Sequence, residues 1–247
     1  MRVLGRYILS VVFIVQMYLA MLVLAIYWTP PTLWQRANAY RAVRCYCRYV
    51  RWSAAKIIGL RSEVRGQVPQ GEVLIAAKHQ SFFDVILIVS EVPRPKFIMK
   101  SSLRFAPILG WFALQIGCVP VDRGKRAEAI RRMVRDVKSG VAQAGQLIIY
   151  PQGTRVAPGA MEKYKVGTAV LYDETDQPCV PAATNVGVFW PRHGLYREPG
   201  LAVVEFLPEI PAKAKTGLTN EVFMAQLEEV IETASDRLMA EAGFIPP

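Results

Sequence analysis

Acid is nearly missing from the first quarter of this 247-residue chain: between Met1 and Arg65 only Glu63 opposes ten lysines and arginines. That stretch supplies nine of the net charge of +10. So lopsided a balance points to a nucleic-acid or membrane surface as partner. From Tyr7 to Trp28 charge of either sign is missing, for 22 residues. At 1.5 Å per residue such a helix crosses a bilayer core of about 30 Å. Tyr7, Tyr27 and Trp28 stand near its ends, where interfacial aromatics collect. A cleaved signal peptide is disfavoured, because its apolar region is shorter and ends in small residues. Here the run ends in Trp28-Thr29-Pro30-Pro31. The arginines flank an apolar span and no nucleic-acid motif accompanies them, so the membrane is the favoured partner.

Cysteine is scarce: Cys45, Cys47, Cys118 and Cys179. Cys45 and Cys47 stand two apart on an expected helix and point in different directions, which disfavours a disulfide or a shared metal. All four are expected as free thiols. Histidine is scarcer still, with His79 and His193 alone. No Gly-x-Ser-x-Gly elbow offers a serine nucleophile. Repeats, low-complexity segments and linkers are also missing, and the length suits one α/β core.

What is present begins with a second helix. After a turn at Pro30-Pro31, Leu33 to Ile58 reads as helical, with Tyr40, Val43, Cys47, Val50, Ala54 and Ile57 on one face. Arg41, Arg44, Arg48 and Arg51 share another face. A basic amphipathic helix suits anionic headgroups, and an ordinary surface helix packed on the core is its rival. Either the first helix spans, with the positive flank inside, or both helices dip into one leaflet. Both arrangements put the remainder on the cytoplasmic side.

Beyond residue 60 short apolar runs alternate with longer amphipathic ones. Strands are expected at Val73–Ala77, Lys96–Met99, Cys118–Val121, Gln146–Tyr150, Cys179–Ala183 and Leu201–Phe206. Helices are expected at Phe83–Ser90, Leu103–Gln115, Arg126–Ala144, Val166–Glu174 and Asn220–Ala242. The fold class is therefore α/β: a mixed, largely parallel sheet covered by helices, preceded by an N-terminal membrane-associated two-helix segment. The expected division is 1–58 for that segment and 59–247 for the α/β domain.

The chemistry concentrates in His79-Gln80-Ser81-Phe82-Phe83-Asp84, straight after an apolar run. Histidine moves protons near neutral pH, and a carboxylate can hold its tautomer. Asp84 also fits a capping box with Ser81, in which it merely satisfies helix amides. Gly117 to Arg123 ends a second apolar run in arginine, and Tyr150-Pro151-Gln152-Gly153-Thr154-Arg155 ends a third. Arginine forks beside a glycine turn can clamp a phosphate. The plainer alternatives are an ion pair of Arg123 with Asp122 or Glu128, and a simple tight turn at Gly153-Thr154. His193 follows Trp190-Pro191-Arg192 in an expected loop and reads as structural.

In this order the blocks resemble the glycerolipid acyltransferases, specifically the 1-acyl-glycerol-3-phosphate acyltransferases. His79 to Asp84 is similar to their H-x-x-x-x-D block, Gly117 to Arg123 to their second block, Tyr150 to Arg155 to F-P-E-G-T-R, and Val180-Pro181-Ala182 to a V-P block. Lys100 and the stretch around Pro107, Gly110 and Trp111 are also similar. The resemblance covers about residues 60–210. It implies transfer of an acyl group from acyl-CoA or acyl carrier protein to the sn-2 hydroxyl of lysophosphatidate, without metal or cofactor. His79 would be the base and Asp84 its orienter. Arg123, Gln152, Gly153, Thr154 and Arg155 would hold the acceptor, with Lys100 and Lys165 as further candidates and Arg192 and Arg197 adding to a basic mouth. The hydrophobic start is similar to the bacterial members, implying an inner-membrane location. Gln152 departs from the family's glutamate, which leaves lyso-ornithine lipid or another lysolipid open as acceptor. A non-catalytic lipid-binding protein is the rival class, and intact His79 and Asp84 weigh against it.

Overall fold

The computed structural model describes residues 2–121 and 145–245, together with residues 128, 131 and 135. The expected helix Arg126–Ala144 therefore falls mostly outside the described residues.

Helix α1 (Arg2–Trp34) is 33 residues long, a rod of about 50 Å. It is long and apolar enough to cross a membrane, and only 22% of its apolar window is buried. Pro30 and Pro31, expected to end it, lie inside it. Proline's fixed φ is itself helical, and the pair removes only its own two N–H bonds, to the carbonyls four residues back. Thr29 Oγ1 donates to the Ala25 carbonyl at 2.7 Å, and Asn38 Nδ2 to that of Pro31 at 2.8 Å. Helix α2 (Asn38–Ile57) folds back along α1. The polar Gln16 in the apolar run has a use there: it donates to Ser53 Oγ at 3.1 Å and accepts from Tyr49 Oη at 2.7 Å. Two of the α2 arginines face protein. Arg44 donates to the carbonyls of Val92 and Pro93, and Arg51 binds Ser62, Ser90 and Glu91. Arg41 and Arg48 remain exposed.

Among the described residues seven strands follow: β1 (Leu60–Arg65), β2 (Leu74–Ala77), β3 (Pro95–Lys100), β4 (Val119–Val121), β5 (Gln146–Ile149), β6 (Cys179–Thr184) and β7 (Gly200–Phe206). Their order in the sheet is β1-β7-β6-β2-β5-β3-β4. Among the described residues one pairing, β6 with β7, is antiparallel, so β1 and β7 run together against the other five. The sheet is mixed and largely parallel, covered by helices, as expected. Strand β1 was not foreseen. Its Arg61, Ser62, Glu63 and Arg65 mask the alternation, as befits an edge strand partly open to water.

Strand β2 is buried on both faces and shows how the layers form. Leu74 and Ala76 pack with Tyr172 of α5 (Gly167–Thr175) and with Phe223 and Leu227 of α8 (Asn220–Glu241). Ile75 and Ala77 pack with Phe13 of α1, Val50 of α2 and Phe83 of α3 (Phe82–Glu91). Two short helices, α6 (Val186–Phe189) and α7 (Lys213–Thr216), lie between β6 and α8.

The single helix expected over Leu103–Gln115 is two pieces, a 3-10 turn at Ser101–Phe105 and α4 (Leu109–Gln115). Pro107 interrupts it, and Ile108 takes a φ of 63°. Gly110 lets the pieces close up: a Cβ there would meet the carbonyls of Leu103 and Arg104 at 2.5 Å.

Candidate active site

Side chains alternate across a strand, and the alternation of β2 continues past its end. Lys78 points to the α8 face and His79 to the face of α1 to α3. His79 Nδ1 lies 3.0 Å from Asp84 Oδ1 and 3.2 Å from Oδ2. Asp84 is fully buried at the start of α3, and its Oδ2 accepts the backbone N–H groups of Gln80 and Ser81, each at 2.8 Å. Ser81 Oγ accepts from the Phe83 N–H at 3.2 Å and closes the capping box. Thus capping and the contact with His79 coexist in one carboxylate.

The segment after β5 meets this one. The Val156 N–H donates to the His79 carbonyl at 2.8 Å. The Tyr150 ring stacks on the imidazole with centroids 3.9 Å apart. Burial, reinforced by Asp84, pushes the Tyr150 phenol well above its usual range, and its Oη has no hydrogen-bond partner among the described residues. Gly153 turns the chain with a φ of 67°, and a Cβ there would meet Lys165 Nζ at 2.9 Å. Glycine thus keeps room for the lysine. Arg155 and Arg192 each donate to the other's carbonyl, at 3.3 and 3.1 Å.

These groups open on one cavity of about 1270 Å³. His79, Lys100, Gly153, Thr154, Arg155 and Lys165 line it. They come from the carboxyl ends of β2, β3 and β5, the place where open α/β sheets bind ligands. Further walls are apolar: Ile14, Met17 and Met21 of α1, Val43 of α2, Val85 and Val89 of α3, and Phe112 of α4. No motif announced these wall residues, because they are spread over four separate helices.

One expected site residue stands elsewhere. Gln152 is 2% exposed and absent from the cavity wall. Its Nε2 donates to the Glu162 carbonyl at 3.4 Å, so its side chain braces the loop from behind. Arg123, with its alternative ion pair to Asp122 or Glu128, lies outside the described residues, two positions beyond β4. His193 is exposed and does not line the cavity. All four cysteines are free thiols, three of them buried.

Residues 61–185, just over half of the chain, match the family model described as acyltransferase. The chain belongs to the acyltransferase family. This acyltransferase is 26% identical over 221 residues to the 1-acyl-sn-glycerol-3-phosphate acyltransferase of Pseudomonas aeruginosa, a match covering 89% of this chain and 84% of that one. It is 26% identical over 219 residues to the enzyme of the same name from Saccharomyces cerevisiae, covering 86% and 69%. Its fold is that of the crystal structure of the 1-acyl-sn-glycerophosphate (LPA) acyltransferase, PlsC, from Thermotoga maritima, with a TM-score of 0.78 and 19% identity over 97% of this chain and all of that one. The family match spans both the His79–Asp84 pair and the Tyr150–Arg155 turn.

Proposed function

We propose that the protein transfers a fatty acyl group from an acyl thioester to the sn-2 hydroxyl of lysophosphatidate, giving phosphatidate. The observation that carries this reading is the buried Asp84 held 3.0 Å from His79 Nδ1 on the wall of a cavity that is basic at one part and apolar at another. A carboxylate on Nδ1–H leaves Nε2 as the proton acceptor. His79 takes the hydroxyl proton, the oxygen attacks the thioester carbonyl, and the C–S bond breaks from the tetrahedral intermediate. The imidazolium then returns its proton to the departing thiolate. No enzyme nucleophile is needed.

Lys100, Arg155 and Lys165 supply charge for the acceptor phosphate, with Gly153 and Thr154 shaping the turn beside them and Arg123 following β4. Gln152 acts through the loop it braces. The apolar walls suit an acyl chain, at about 0.8 kcal/mol for each CH₂ they bury. Residues 1–58 form the membrane-associated segment and 59–247 the acyltransferase domain. The exposed apolar face of α1 and the exposed Arg41 and Arg48 support binding to an anionic membrane, with the site on the cytoplasmic side of a bacterial inner membrane.

The test is an assay of purified protein with labelled acyl-CoA and acyl carrier protein against a panel of lysolipids. Transfer to lysophosphatidate is expected; no transfer with any donor and acceptor would leave only a lipid-binding protein. Arg155→Ala should raise the KM for lysophosphatidate by about 10- to 100-fold, the worth of a charged hydrogen bond, with a smaller change in donor KM. An unchanged acceptor KM would remove Arg155 from the phosphate site.

A further inference from the structure

Arg197, in the loop between α6 and β7, is a charge in the cavity wall with no acid bonded to it among the described residues. It is 8% exposed, far from the open basic mouth that its sequence position promised. Its guanidinium lies 4.6 Å over the Trp190 ring, which itself stacks on Phe83 next to Asp84. Nη1 donates to the carbonyls of Gly194 and Tyr196, both at 2.9 Å, and the backbone N–H donates to Ser10 Oγ of α1 at 3.0 Å. These contacts fix the group and use one end of it. The other edge makes no hydrogen bond among the described residues, and its Nε is sealed from solvent. Glu198, the next acid in sequence, turns instead to Arg6 at 3.1 Å. Burial lowers the Arg197 pKa to about 10, so the charge persists at neutral pH.

Buried charges have partners, because a dry donor without one is costly. With Nε sealed and Nη1 used, Nη2 is the donor left for an oxygen of a phosphate or carboxylate. We infer that Arg197 is a further oxyanion site of this cavity, beyond Lys100, Arg155 and Lys165, and that its Nη2 grips a phosphate ester. Trp190 holds the plane of the guanidinium, and the Gly194 and Tyr196 carbonyls set its rotation. The choice of ligand rests on the reaction proposed above, which brings two phosphate esters to the cavity. One is the monoester of lysophosphatidate. The other is the phosphate ester of the pantetheine arm, which acyl-CoA carries within a diphosphate and acyl carrier protein within a phosphodiester.

The full chain in detergent micelles is titrated calorimetrically with coenzyme A and, separately, with oleoyl lysophosphatidate. Wild type is compared with Arg197→Met, which keeps the stem over Trp190, and Arg197→Lys, which keeps the charge but has no Nη2. Circular dichroism verifies folding, and the lysine variant serves if the methionine variant does not fold. We expect Kd for one probe to rise about 10- to 100-fold in both variants while the other changes less than about two-fold. A loss for coenzyme A assigns the site to the donor, and a loss for lysophosphatidate to the acceptor. Unchanged Kd values for both probes in a folded variant, or no binding of either probe to wild type, would overturn the inference. The readout is binding, so a failure of acyl transfer would defeat the proposed reaction and leave this result legible.

Discussion

His79→Ala should lower kcat/KM for acyl transfer by about 10²–10⁴-fold, the usual worth of a general base, and leave the fold intact. The half-buried ring loses its stack on Tyr150 and its bond to Asp84, but α3 keeps its cap. Asp84 separates capping from catalysis if two variants are compared. In Asp84→Asn the amide oxygen can still accept from the Gln80 and Ser81 N–H groups, which hold one carboxylate oxygen at 2.8 Å now. The amide nitrogen, however, faces His79 Nδ1 as a donor. That favours the wrong imidazole tautomer, with Nε2 protonated and unable to accept the substrate proton. A rate loss of at least about 100-fold is therefore expected with little loss of stability. Asp84→Ala should lose both, the cap contributing about 1 kcal/mol. Steady-state kinetics paired with thermal denaturation reads the two effects separately. A fully active, folded Asp84→Asn enzyme would reduce Asp84 to a cap.

The pair was legible because it is local: five residues of spacing and one capping motif bring both groups together. The central strands were legible for a similar reason, since strands buried on both faces read as unbroken apolar runs. What stayed hidden depends on partners remote in sequence. Arg197 acquires its surroundings from Ser10, 187 residues away. Strand β1 owes its place to β7, its parallel neighbour across the sheet edge. The side chain of Gln152 turns away from the cavity because the chain bends at Gly153, whose N–H bonds the Tyr150 carbonyl at 2.9 Å. The F-P-E-G-T-R-like block gives the residue types of that turn but not the direction of each side chain. The tandem prolines misled in the opposite sense, because two residues of helical φ near a helix end need not stop it.

Another contact remote in sequence carries the largest expected stability effect. Lys78 is 2% exposed, and its Nζ lies 2.5 and 2.7 Å from the two carboxylate oxygens of Glu232 on α8, 154 residues away. Tyr164 Oη donates to the same carboxylate at 2.8 Å. Burial, together with Glu232, raises the Tyr164 pKa, so the phenol remains a donor. Removing one partner of a buried ion pair costs about 3–5 kcal/mol, because the other charge is left dry. Glu232 keeps a side-chain exposure of 27%, so water can reach part of the site and the lower end of that range applies. Glu232→Ala should therefore destabilise by about 3 kcal/mol and lower Tm by roughly 6–12 °C in thermal unfolding. Replacing all three groups, as Lys78→Met, Glu232→Leu and Tyr164→Phe, should recover most of the loss, since no polar group is then stranded. If the triple variant is no more stable than Glu232→Ala, the unpaired lysine is not the cause. The pair also bears on the reaction. Lys78 and His79 are consecutive and face opposite sides of the sheet, so the bond to α8 behind fixes the strand end that aims the imidazole in front. The restored triple variant should consequently regain stability yet fall short of wild-type kcat, because apolar contacts hold that strand end with less directional constraint than three converging hydrogen bonds.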